Sequence, residues 1–168
     1  MSAILYGALQ LSKSPVNEDN YCYDAIGKNS EIFTGGDIVS IDATNGLKVA
    51  VAQGAIAGVV AKTVTMASDN QTVAKVSPAF TPIDLDYEFL MGTNSDLTPI
   101  TSIGDTYQIV GTTGVQQVDV NTGIVVPGSG GQVEITKVDP LNIGGTGSGS
   151  GLRQCYVKFV KLVNNRTA

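Results

Sequence analysis

The stretch Gly36-Asp37-Ile38-Val39-Ser40-Ile41-Asp42-Ala43-Thr44-Asn45-Gly46-Leu47-Lys48-Val49-Ala50-Val51 opens a run that reads as strand after strand as far as Met91. Val39 and Ile41 share one face. Asn45-Gly46 supplies a turn, because both residues tolerate the positive φ of a tight hairpin. Leu47, Val49 and Val51 then recur at spacing two, with Lys48, Ala50 and Ala52 opposite, as in a half-buried strand. Ile56 to Met66 is a longer β-branched run. In Ile83 to Met91 the apolar Ile83, Leu85, Tyr87, Phe89 and Met91 alternate with Asp84, Asp86 and Glu88. A helix would scatter those carboxylates, whereas a strand puts all three on one side, toward water. The expected fold class is all-β, a small β-barrel or β-sandwich domain with an extended N-terminal arm.

Outward from this run the same chemistry continues. Pro78 and Pro82 bracket Phe80 and confine that segment to a loop or an edge. Gly104-Asp105 repeats the opening Gly36-Asp37, with a strand at Tyr107 to Val110 and a turn at Gly111 to Gly114. Val115, Val118 and Val120 are read as the next strand. The likeness between the two units is no closer than hairpin chemistry alone requires. Val133 and Ile135 face inward from the strand Gln132 to Val138. Cys155, Val157 and Phe159 form the inward face of the last strand. A short strand is expected at Tyr21-Cys22-Tyr23, a turn at Ser68-Asp69-Asn70, and a loop without fixed side chains at Gly144 to Gly151. Residues 1–20 are read as an N-terminal arm and residues 21–168 as one β domain. Within the arm, Ile4, Leu5, Tyr6, Leu9 and Leu11 are apolar, Gly7 weakens a helix and Pro15 ends it. Either the arm reaches onto a neighbour or its strand closes the barrel.

Composition narrows the function classes. Among 168 residues, hydrophobic types reach 42% and charged types only 15%, against about 25% charged on average. A surface short of charge is often covered by another chain. Net charge is −5, and no basic patch suits a nucleic acid. Lys158, Lys161, Arg153 and Arg166 read instead as a solvated strand edge. No secretory signal or spanning helix is expected, because Ile4 to Leu11 is short and polar. The chain has no histidine, which removes Ser-His and Cys-His nucleophile pairs and imidazole metal ligands. Cys22 and Cys155 could pair, but two small buried thiols are the expected state.

The motifs that invite chemistry fall short of it. No lysine follows Gly144 to Gly151, so it is not a phosphate loop, and the spacing of Gly54, Gly58 and Lys62-Thr63 is also wrong. No helix follows a strand to receive a pyrophosphate. Asp84, Asp86 and Glu88 on one flat strand face stand too far apart to chelate Ca²⁺ without a loop's help. A glycosidase-type carboxylate pair stays open on sequence alone, although Trp is absent and aromatic residues are few. Asn70-Gln71-Thr72 and Asn165-Arg166-Thr167 fit the glycosylation pattern, which matters only on a secretory route. No cofactor, no metal and no catalytic residue is expected.

Gly36-Asp37 with its hairpin, Gly104-Asp105-Thr106-Tyr107-Gln108-Ile109-Val110, Val115-Gln116-Gln117-Val118-Asp119-Val120 and Val133-Glu134-Ile135-Thr136-Lys137-Val138-Asp139-Pro140 together resemble the capsid decoration (cement) proteins of tailed bacteriophages. The likeness spans roughly residues 30 to 163. It implies a small β-barrel that forms a homotrimer on the outer surface of the virion capsid, with the major capsid protein as partner and no nucleic acid or membrane. It also implies an arm over adjacent capsid subunits, with Ile4, Leu5, Tyr6, Leu9 and Leu11 as the capsid-contact candidates, and no enzymatic activity. Two other readings stay open: another virion part such as a tail tube, head-completion or baseplate protein, and a carbohydrate- or host-binding β module.

Overall fold

The computed structural model describes residues 10–11, 25–83, 87–97, 102–125, 130–138 and 153–163. Their regular structure is almost entirely strand: β1 (Gln10–Leu11), β2 (Ile32–Phe33), β3 (Ile38–Asp42), β4 (Gly46–Val49), β5 (Ile56–Val60), β6 (Val64–Thr65), β7 (Phe80–Pro82), β8 (Glu88–Thr93), β9 (Thr106–Val110), β10 (Gln117–Asp119), β11 (Val133–Val138) and β12 (Arg153–Phe159). One helical turn, Asn70–Ala74, stands among them. The protein is all-β.

The two sheet units repeat one plan. The first runs β4-β3-β5-β7 and the second contains β10-β9-β11-β12. Each begins with a turn that ends in Gly-Asp, with Gly36 at φ 94° and Gly104 at φ 87°, values that favour glycine. Gly36 N donates to Val60 O and Val60 N to Asp37 O, both at 2.8 Å. Gly104 N donates to Ile135 O at 2.8 Å and Ile135 N to Asp105 O at 3.1 Å. The Gly-Asp likeness is therefore a repeat of topology and hydrogen bonding, closer than the sequence expectation.

The second unit closes on itself. β12 lines one edge of β8 from Glu88 to Thr93, antiparallel. On the other edge of β8, β10 pairs in parallel only at Thr93, while Phe89 and Leu90 pair with Leu11 and Gln10 of β1. The ring β8-β10-β9-β11-β12 is thus complete, and β1 fills the part of the β8 edge that β10 leaves open.

Two cores result. One gathers Phe89, Met91, Ile109, Val118, Val133, Ile135, Cys155, Val157 and Phe159 of the ring with Ile38, Ala50 and Ile56 of the first sheet. Phe89 and Phe159 meet edge to face at 5.1 Å. The other lies on the far face of the first sheet, around Phe33, Val39, Leu47, Val60 and Phe80. Central strand β3 serves both, so Ile38 and Val39 are each fully buried although they point to opposite faces. The inward faces expected at Val133 and Ile135, and at Cys155, Val157 and Phe159, are as read.

Several expectations are corrected. The run Ile56 to Met66 is two strands, because the chain bends at Ala61-Lys62. β4 ends at Val49, leaving Val51 52% exposed while Ala50 is buried. Of the expected strand Ile83 to Met91, β8 covers the residues from Glu88 on, with Phe89 and Met91 buried as read, while Ile83 and Tyr87 stand outside a strand and are half-buried. Val115 precedes its strand and is exposed. The turn at Asn70 continues into the helical turn, closed by Lys75 N donating to Asn70 O. Phe80–Pro82 is an edge strand, as its prolines require.

Buried polar side chains join the two units. Gln116 Oε1 accepts from Ile38 N at 2.7 Å, and its Nε2 donates to Ile38 O and Ala50 O at 3.0 and 2.8 Å. Gln132 Oε1 accepts from Ile109 N at 2.9 Å, and its Nε2 donates to Val51 O and Gly54 O at 3.0 and 2.7 Å. Both side chains come from the second unit and satisfy backbone groups of the first. Replacing Gln116→Met keeps its approximate volume but orphans two buried backbone groups, Ile38 N and Ala50 O, each worth about 1–3 kcal/mol, while Ile38 O keeps its bond from Ala50 N. The expected loss of stability is therefore at least about 2 kcal/mol, read as a lower urea midpoint at unchanged slope.

Candidate assembly surface

Of the arm residues, Ile4, Leu5, Tyr6 and Leu9 lie outside the described residues, as do Cys22 and the expected strand Tyr21 to Tyr23. Leu11 is in β1, opposite Phe89 across the ladder. Gln10 and Leu11 thus lie on the part of the β8 edge that the closed ring leaves open.

The carboxylates do not assemble into a site among the described residues. Asp84 and Asp86 lie outside them. Glu88 is in β8, where its carboxylate accepts from the Thr136 hydroxyl. No group of three metal-ligating side chains occurs among the described residues. The Gly144 to Gly151 loop and Arg166 also lie outside. Lys161 Nζ donates to Gln53 O at 2.7 Å, which ties the last described residues to the first sheet. Asn70 is fully buried. Its Nδ2 donates to Gly27 O and Val76 O, and its Oδ1 accepts from Val76 N. A glycan could not be added there without unfolding the turn.

The acids that are buried or turn-bound serve the backbone. Asp37 is fully buried. Its Oδ2 accepts from Thr34 N and Thr113 Oγ1 at 2.7 and 2.6 Å, and its Oδ1 accepts from Gly114 N at 2.7 Å. It fastens the β9–β10 turn to the Thr34–Asp37 turn, a role the sequence signals only through the Gly-Asp pair. At Asp119, burial is the largest influence and pushes the carboxyl up. Hydrogen bonds from Thr122, Asn94 and the Asn121 amide outweigh it and hold the group below the usual range. The Lys48 ammonium and Asn45 hold the Asp42 carboxyl well below that range. A lowered folded value stabilises above the unfolded value, so both contributions are present at neutral pH and fade as pH falls below about 4.

Part of the exposed surface is aliphatic. Val73 is 72% exposed and Ile124 61%, and Val51, Val76, Ile103 and Val115 are exposed as well. These six stand on turns and loops, while Ile32 of β2 and Val110 of β9 are exposed on strands, and the outward positions of β8, β11 and β12 carry Leu90 and Tyr156 beside Glu88, Glu134, Thr136 and Lys158. Lys137 Nζ stands 5.2 Å over the Tyr156 ring. Sequence periodicity could not find these residues, because exposure of a loop residue leaves no pattern. No protein-family model matches the chain, and no curated protein matches it.

Cys155 is a free thiol, fully buried, and burial pushes it up to about 12. With Cys22→Ser in place, a disulfide reagent at pH 8 is expected to find no reactive thiol in the folded protein and one after denaturation. The unfolded thiol ionises near pH 8.5, so stability falls from there toward pH 12 by up to about 1.4 kcal/mol per unit. Rapid labelling of the folded protein would contradict that burial.

Proposed function

We propose that the chain is a structural virion protein, a capsid decoration protein. As a homotrimer on the outer surface of a tailed-phage head, it would stabilise the shell by bridging neighbouring major capsid subunits. The observation that carries this reading is the set of exposed Val and Ile side chains, most of them on turns and loops. Fully burying such a side chain contributes roughly 1.5–3 kcal/mol, against ~0–1 kcal/mol for an exposed ion pair. A few aliphatic tips therefore supply more association free energy than this sparsely charged surface could draw from salt bridges. The sheet plan supports the same reading, since a closed ring leaves few free edges for uncontrolled pairing. On this proposal the protein is not an enzyme, and Ile4, Leu5, Tyr6, Leu9 and Leu11 are the capsid-contact candidates.

The first measurement is the solution mass by light scattering, expected near three times 17.4 kDa. Purified bare capsids should then bind the protein and resist heat or chelation better with it. Val115→Asp and Ile124→Asp, at exposed sites, should fold normally and bind shells about tenfold more weakly or worse, the effect of ~1.4 kcal/mol. Unchanged binding by both variants and by a form lacking residues 1–15 would remove the assignment, and a hexameric ring or polymer would point to a tail-tube protein instead.

A further inference from the structure

The β8 edge is a strand-accepting slot, and its occupant is the two-residue strand β1, which lies outside the ring. β12 covers one edge of β8 over six residue pairs. On the other edge β10 reaches only Thr93, so the edge at Phe89 and Leu90 is completed by β1 alone. Phe89 is 1% exposed and part of the ring core. Among the described residues the backbone of β8 at Phe89 and Leu90 meets a strand on this edge only through β1, and a buried unpaired amide or carbonyl costs about 1–3 kcal/mol.

β1 meets that need through two residue pairs with partners 78 and 80 positions along the chain. The next described residue after Leu11 is Ala25, which packs against the other core, on the far face of the first sheet. Residues 12–24 lie between. Thirteen residues can span up to about 45 Å, against about 40 Å for the diameter of a compact 168-residue chain. A neighbour's slot is within their reach. The ladder formed there would be identical to the one within the chain, which is what lets identical elements exchange between copies.

We infer that β1 is exchanged in the assembled oligomer: the Gln10–Leu11 strand of one copy completes the β8 edge of the next. Around a three-fold axis this head-to-tail exchange closes on itself. Neighbours held within linker reach present their slots at effective concentrations on the order of millimolar. The exchange rests on the trimer reading and ties each copy's ring to its neighbour.

Cross-strand partner positions lie about 4.5–5.5 Å apart, within disulfide range. Gln10→Cys and Leu90→Cys, each in a Cys22→Ser chain, are co-expressed and oxidised, with buried Cys155 remaining silent. The exchange predicts a covalent dimer joining the two variants, absent when either is oxidised alone. A double variant carrying both cysteines would then form covalent trimers rather than an internal link. In case Leu90→Cys misfolds, a photo-crosslinking residue at position 10 is placed in mixed light- and heavy-nitrogen copies refolded together. Isotope-mixed pairs should then be as frequent as pure ones. A trimeric mass with only internal cross-links overturns the exchange and leaves the trimer reading standing. A monomeric mass with only internal cross-links overturns both.

Discussion

Two buried glutamines hold this structure together. Gln116 and Gln132 each spend one carboxamide on three backbone groups, and in doing so dock the second sheet unit onto the first. A carboxamide offers an acceptor and two donors, so it can satisfy a strand that has lost its neighbour. Here it does so at Ile38, Ala50, Val51 and Gly54, where the first sheet ends against the ring. In an apolar setting such a bond is strong when made and costly when lost. The two side chains therefore specify how the sheets meet, while apolar burial supplies most of the driving force.

Asp37 extends the same logic to the surface. Its carboxylate fixes the turn between β9 and β10 to the turn that opens the first unit. Because each unit begins with a Gly-Asp turn and uses the same strand order, the molecule is two related sheets joined by polar clamps. Only the second unit acquires a closing strand, β8, and with it a ring and a densely packed interior. The first unit instead buries both faces of β3, one against the ring and one beneath β2 and β6.

The functional reading follows from what that frame leaves outside. Val73, Ile103, Val115 and Ile124 stand exposed on turns and loops, and Ile32 and Val110 are exposed on strands. A catalyst gathers titratable groups in a cleft. Among the described residues the carboxylates of Asp37, Asp42, Glu88 and Asp119 serve turns and strand contacts, and burial favours the protonated form of the Cys155 thiol. An arrangement of rigid body, apolar tips and a lightly attached strand suits a part that is held by neighbours.

The sequence by itself determined the local matters: the all-β class, the inward faces of β11 and β12, the edge position of Phe80–Pro82, and the absence of imidazole chemistry. These follow from the two-residue pleat, from proline's missing donor and from composition, none of which needs a partner strand. Tertiary structure alone decided the rest. Val49 and Val51 have the same spacing and chemistry, yet one is buried and the other exposed, because β4 ends at Val49 and the Gln116 and Gln132 clamps take over at Ala50 and Val51. Ile38 and Val39 are both buried because β3 lies between two cores. Likewise, the pairing of β1 with β8 joins residues nearly half the chain apart, and no periodicity in either segment specifies such a contact.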